Sequence, residues 1–253
     1  MELETVSIFC ETVFVLKRCK EMRTYLLDCS ACSQAEGRRQ LLAQMAEKCD
    51  DSRLEKAGRI RTEEGKFVSL AAGMLLQKIH REYTHGKAME GTWTGTVREL
   101  LEELEAPCQI GYRIGEHGKP YFAKLPICFS LSHSGEYVAC AIGEVPVGID
   151  IQEHRGMREK ILNRYYCEDE RSYVNRQTDE RDRLAAFYRI WCRKEAYIKY
   201  TGLGMTQNMT SFSTLRQKDV TYEEKDFAGY SAALCYAAGD NRVEWYMEKK
   251  EDG

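Results

Sequence analysis

Three side chains in the stretch FYRIWCRKEAYIKYTGLG (187–204) can do chemistry together. Trp191, Glu195 and Lys199 recur every fourth residue, which on a helix sets an aromatic anchor, a carboxylate and an ammonium along one stripe. A carboxylate can hold a divalent cation, and a lysine one turn away can meet phosphate oxygens. The same spacing also fits an ordinary amphipathic helix carrying one Glu–Lys pair. In VGIDIQ (147–152), strand alternation sends Val147, Ile149 and Ile151 to one face and Gly148, Asp150 and Gln152 to the other. Asp150 and Gln152 then aim oxygens in one direction, an arrangement of hard ligands that suits Mg²⁺ if Glu195 joins them. An edge strand with solvated polar residues reads the same way.

Other segments carry weaker signals. FSLSHSG (129–135) places Ser132 and His133 at the end of an apolar run, just before Gly135. It lacks the G-x-S-x-G pattern of a serine hydrolase, and hydroxyls beside an imidazole in a turn suit donation to phosphate oxygens. A turn histidine with its own satisfied contacts is the plain alternative. Lys119 and Pro120 follow Gly118 in a loop, and GKP alone is a turn with a solvated lysine. Arg53, Lys56 and Arg59, at three-residue spacing, form a basic ridge if helical, able to meet a phosphate or simply to face water.

The elements that must position these groups follow from periodicity. Helices are predicted at 35–48, 66–82, 94–105, 157–175 and 179–200; the second has Phe67, Leu70, Ala71, Met74, Leu75 and Ile79 on one side, and the third opens with Thr96 and Glu99 at capping-box spacing. Short β-branched and aromatic runs from Gln109 to Gln152 predict a strand-rich centre, and 209–213, 229–237 and 242–247 can close a sheet. Helices then strands, twice over, predict an α+β protein rather than alternating βαβ units.

Composition narrows the classes. A chain of 253 residues with 37 basic and 40 acidic side chains has a formal charge of -3, so no global basic field points to nucleic acid. The N-terminus opens with acids and its apolar run is interrupted by Glu11, Lys17 and Arg18; with no apolar stretch near the roughly 20 residues that span a membrane, a cytoplasmic protein without membrane partners is expected. Eleven scattered cysteines predict reduced thiols, Cys29 and Cys32 forming the lone CxxC.

Taken in order, GKPYF (118–122), FSLSHSG (129–135), PVGIDIQ (146–152) and FYRIWCRKEAYIKYTGLGM (187–205) resemble the signature regions of the Sfp-type 4′-phosphopantetheinyl transferases. The resemblance covers about 90 residues directly, reaches weakly to the ridge at Arg53, and is absent before about residue 50. It implies transfer of the phosphopantetheine arm of coenzyme A to a serine of an apo acyl or peptidyl carrier protein, with Mg²⁺ and release of 3′,5′-ADP. It implies Asp150, Gln152 and Glu195 at the metal, His133 and Lys199 at the pyrophosphate, and Lys119, Pro120 and Ser132 along the nucleotide. Arg53 and Lys56 fall where the family places basic residues for the 3′-phosphate, and Glu170 matches a carboxylate that is a candidate general base. Glu195 and Lys199 are thereby expected to be catalytic as well. Gln152 departs from the glutamate that many members carry, which removes one negative charge from the metal site.

The fold implied is a monomeric pseudo-dimer of two similar α+β subdomains, here divided as 1–125 and 126–253, with the site in the groove between them. Two other functions fit the same residues: an inert coenzyme A- or carrier-binding relative, and a Mg²⁺-dependent nucleotide phosphohydrolase.

Overall fold

A computed structural model describes residues 22–32, 35–87 and 91–239. The chain runs β1 (Met22–Asp28), α1 (Ala35–Lys48), α2 (Asp51–Gly58), α3 (Glu63–Thr84), β2 (Gly91–Thr96), α4 (Val97–Glu103), β3 (Tyr112–Ile114), β4 (Pro120–Phe122), β5 (Cys128–Ser134), β6 (Tyr137–Gly143), β7 (Val147–Glu153), α5 (Glu159–Tyr165), α6 (Glu168–Asn175), α7 (Glu180–Thr201), β8 (Val220–Phe227) and β9 (Tyr230–Ala237). This is the α+β architecture expected from the sequence.

Local chemistry accounts for most element ends. Thr62 caps α3 by accepting from the Gly65 amide, and all six apolar side chains on its predicted stripe are buried. Thr96 and Glu99 form the capping box of α4. Asp179 caps α7, which ends at Gly202 in the left-handed region, with φ 72°. The elements depart from expectation in several places. β1 and β2 lie in a half predicted to be helical, and β2 takes the first turn assigned to α4. The predicted 157–175 helix breaks at Tyr166, whose backbone is extended and whose fully buried ring stacks on Phe187 while its hydroxyl donates to the Phe187 carbonyl. A short 3-10 turn, not a strand, occupies Met209–Ser211, and 242–247 lie outside the described residues. Charge hides β8 from a hydrophobicity pattern, because Glu224 and Asp226 are paired with Arg193 and Arg189 of α7.

Two principal sheets form, β2-β1-β6-β5 and β7-β9-β8, with β3 and β4 as a separate hairpin. Each is covered by one 22-residue helix, α3 over the first and α7 over the second. The uncovered faces meet each other, Met22, Leu26, Ala139 and Ala141 packing on Val147, Ile149, Ile151 and Leu234. The change of sheet does not fall at the expected 125/126 division. β6 binds β1 along its full length and β5 binds β6, so both belong with the N-terminal elements and the passage between sheets is Glu144–Pro146. Strand patterns carry no label for the partner strand.

β7 pairs with β9 on one edge only. Its other edge is satisfied by side chains. The amides of Ile149, Ile151 and Glu153 donate to the hydroxyls of Ser130, Ser132 and Ser134 at 3.0, 3.4 and 2.9 Å. The carbonyls of Val147 and Ile149 accept from the ammonium groups of Lys119 and Lys199 at 3.2 and 3.0 Å. A buried edge needs such partners because unpaired backbone groups away from water are costly. Among the described residues, no helix is long and apolar enough to cross a membrane.

α7 approaches β7 closely at Gly148. A Cβ there would fall inside contact distance of the Ala196 carbonyl oxygen and the Tyr200 amide, both backbone atoms that cannot swing aside. Gly148→Ala is therefore expected to cost about 3 kcal/mol or more in denaturant unfolding. Gly37→Ala on α1, where the new methyl meets nothing within 4 Å, should instead stabilise by roughly 0.5–1 kcal/mol. A tolerated Gly148→Ala would mean that helix and strand are not locked at this point.

Candidate active site at the crossing of β7 and α7

The period-two rule places Asp150 and Gln152 on the face of β7 that bears Gly148, and α7 brings Glu195 and Lys199 over that face. Asp150 is buried, at 2% exposure, and its carboxylate organises the cluster. Its Oδ1 accepts from Ser132 Oγ at 2.6 Å and from Lys199 Nζ at 2.7 Å, and its Oδ2 accepts from Gln152 Nε2 at 3.0 Å. Glu195 is half-buried and makes no hydrogen bond or ion pair among the described residues. Burial and the neighbouring Asp150 charge raise its pKa, with Lys199 acting in opposition. Desolvation lowers the pKa of His133, helped by Lys199 and Lys56 against the pull of Asp150, although the side chain keeps contact with solvent.

The donor set fits a hard divalent cation in kind. Asp150 and Glu195 are carboxylates beside the Gln152 amide; Asp150 already accepts from Ser132, Lys199 and the Gln152 Nε2, whereas Glu195 has no hydrogen-bond donor among the described residues. No group of three His, Cys, Asp or Glu side chains that could hold a metal occurs among the described residues. The set here is two carboxylates with Gln152, as the sequence substitution requires.

Two hollows open beside the cluster. The first, about 550 Å³, is lined by Arg53, Lys56, Lys119, Pro120, Ser130 and Lys199, among others. The ridge on α2 is therefore real for two residues: Arg53 is buried against Gly73 of α3, Lys56 is exposed overall with its pKa lowered by partial desolvation and by Arg53, and Arg59 turns away to Glu55. The second, about 570 Å³, runs from His133, Gln152 and Glu195 past Phe187 and Trp191 to Arg155 and Arg158. Trp191 stacks on Tyr166 as the predicted anchor of the helix.

Three residues expected at the site have their polar atoms engaged by other parts of the protein. Glu170, the candidate base, is fully buried in a different place: it pairs with Lys194 at 2.8 Å and accepts from the Cys167 amide and from the Thr214 amide and hydroxyl. A base must reach a proton, and every oxygen of this carboxylate is already used. Ser132 donates its hydroxyl to Asp150 and accepts from the Ile151 amide, and Ser130 rather than Ser132 lines the first hollow. Lys119 does line that hollow, but its ammonium donates to the carbonyls of Val147, Lys199 and Tyr200. Sequence reasoning missed Ser130, Ser134, Tyr112, Arg155 and Arg158 as lining or supporting residues. The alternation of Ser130, Ser132 and Ser134 was the available signal, since period two puts all three on one face.

A sequence model described as the 4′-phosphopantetheinyl transferase superfamily matches residues 146–248, the span that holds β7 and α7. The chain is 36% identical over 126 residues to 4′-phosphopantetheinyl transferase psf-1 of Bacillus pumilus, covering 49% of this chain and 54% of that protein. It is 32% identical over 150 residues to 4′-phosphopantetheinyl transferase gsp of Aneurinibacillus migulanus, 54% and 62% of the two chains. A 4′-phosphopantetheinyl transferase of Bacillus subtilis is 36% identical over 167 residues, 62% of this chain and 71% of that protein. The chain thus spans only about half to three-fifths of the first two relatives.

Two measurements check the electrostatics. A carboxylate whose folded pKa exceeds its unfolded value weakens the fold above that pH, and the penalty fades as pH falls through the raised value. Glu195→Gln is expected to melt higher than the parent at pH 7 and to converge with it toward acid pH; equal melting at pH 7 would remove the repulsion described. Glu170→Ala strands the Lys194 ammonium in the interior and is expected to cost on the order of 3–5 kcal/mol of stability, read by chemical denaturation.

Proposed function

Because this chain belongs to the 4′-phosphopantetheinyl transferase superfamily, we propose that it transfers the phosphopantetheine arm of coenzyme A to a serine hydroxyl of an apo acyl or peptidyl carrier protein, releasing 3′,5′-ADP. The observation that carries the reading is the convergence of Asp150, Glu195, Lys199 and His133, with Lys199 on a hollow lined by basic residues and Glu195 and His133 on one lined by aromatic residues. Arg53, Lys56 and Lys199 supply positive charge along the first hollow, which suits the phosphates of coenzyme A. The second hollow is left for the acceptor.

Asp150, Gln152 and Glu195 are the residues that would hold Mg²⁺. When bound, the ion would offset negative charge that builds on the pyrophosphate oxygens. The protein's own part is positioning and charge. Lys199, held by Asp150 and the Ile149 carbonyl, would offer its ammonium to the pyrophosphate oxygens. The imidazole of His133, whose pKa is lowered, can donate to a phosphate oxygen or accept a proton. With Glu170 sealed, the groups at the cluster that can take the serine proton are His133 and Glu195. The departing 3′,5′-ADP is a good leaving group and needs no strong acid.

Incubation with coenzyme A, Mg²⁺ and a panel of apo carrier proteins, followed by mass spectrometry of the carriers, tests the reading. A carrier that gains the phosphopantetheine mass is the expected result. Release of 3′,5′-ADP with no carrier gain would assign a phosphohydrolase, and coenzyme A binding with no product an inert module. Glu195→Ala is expected to abolish transfer, and Mg²⁺ to raise the melting temperature of the parent but not of this variant; retained turnover would remove the metal assignment.

A further inference from the structure

The loop lysine of the GKP segment contacts protein where a nucleotide contact was expected. Lys119 Nζ sits where the first residue of β7 meets the last turn of α7, donating to the carbonyls of Val147 at 3.2 Å, Tyr200 at 3.4 Å and Lys199. A cation at the open carbonyls of a helix C-terminus is held by both hydrogen bonds and the helix dipole. Its stem runs 3.4 Å from where a Cβ on Gly202 would be, and its ammonium lies over the Tyr121 ring at 5.8 Å. The His117 carbonyl makes a similar approach to Gly204 and the Tyr121 hydroxyl to Gly202, so the loop between β3 and β4, with Tyr121, seats on the Gly202–Gly204 turn. Both glycines have positive φ, which an L side chain would resist.

We propose that Lys119 is a positioning residue: it clamps the end of α7 to β7 and thereby sets Lys199, without touching the substrate. The residue whose carbonyl it holds is the one whose ammonium reaches Asp150 Oδ1 and the Ile149 carbonyl. Lys119 and Lys199 take neighbouring carbonyls on the same free edge of β7, so loosening one clamp lets the helix end move relative to the carboxylate that receives the other. This rests on the transferase reading for its kinetic consequences alone.

Lys119→Met, which keeps the stem and removes the charge, is tested beside Lys119→Arg, Lys199→Ala and the Lys119→Met/Lys199→Ala double variant. Lys119→Met is expected to lower kcat by on the order of tenfold while calorimetry gives a coenzyme A Kd within about threefold of the parent. Lys119→Arg, which can still donate to carbonyls, should recover most of the loss. The double variant should turn over like Lys199→Ala alone, because a residue that acts through Lys199 has nothing left to position. Acetic anhydride footprinting by mass spectrometry reads the same point without turnover: Lys199 should label several-fold faster in Lys119→Met than in the parent. A tenfold weaker Kd with kcat preserved would make Lys119 a ligand contact and overturn the proposal, as would multiplicative losses in the double variant or unchanged Lys199 labelling. If the parent modifies no carrier, the function reading fails while the footprint still decides the clamp.

Discussion

The free edge of β7 is the constraint on which the site depends. A strand paired on one side only must satisfy the amides and carbonyls of its other side or expose them to water. Here three serines of β5 take the amides, and two lysines from distant segments take the carbonyls. The arrangement does two things at once. It joins the two sheets without extending either ladder, and it delivers Ser132 and Lys199 to the same carboxylate oxygen of Asp150.

The helix over that strand separates two Lys–carboxylate arrangements that a linear pattern makes look alike. Lys194 and Glu170 are both fully buried, and their remaining polar atoms are used by the Met209 and Phe212 carbonyls, the Cys167 amide and Thr214. That pair holds α6 and the 209–214 segment onto α7. One residue further along, Glu195 is only half-buried, lacks a donor and feels Asp150 across the gap. A carboxylate left in this condition is electrostatically unfavourable for the fold and useful to a cation. Burial with complete partners makes one group structural, and incomplete partnering makes the other available.

The two hollows differ in the chemistry of their walls for reasons of topology. The first draws on α2, the β3–β4 hairpin, β5 and the end of α7, and so gathers basic residues from sequence positions far apart. The second is walled by α7, the end of β7 and the loop after it, where Phe187, Tyr188 and Trp191 turn the same way. The Tyr188 hydroxyl takes the Arg155 amide and donates to the Gly156 carbonyl, which fixes the loop that carries both arginines at the far end. Glu195 and His133 line the second hollow, Lys199 lines the first, and Asp150 holds Lys199 by its carboxylate.

Sequence by itself determined the α+β class, the capped and amphipathic helices α3, α4 and α7, the alternation that put Asp150 and Gln152 on one face, and the stripe of Trp191, Glu195 and Lys199. Those are local periodicities, legible because side-chain direction repeats with the backbone. Only the tertiary structure decided which strands pair, moving β5 and β6 to the N-terminal sheet, because strand pairing is non-local and leaves no mark in either strand. It alone distinguished Glu170 from Glu195 and turned Ser132 and Lys119 inward, since burial and the count of filled hydrogen bonds depend on segments tens of residues away. Residue type and spacing say which groups are able to do chemistry; whether their polar atoms are already spent is settled only when the chain closes around them.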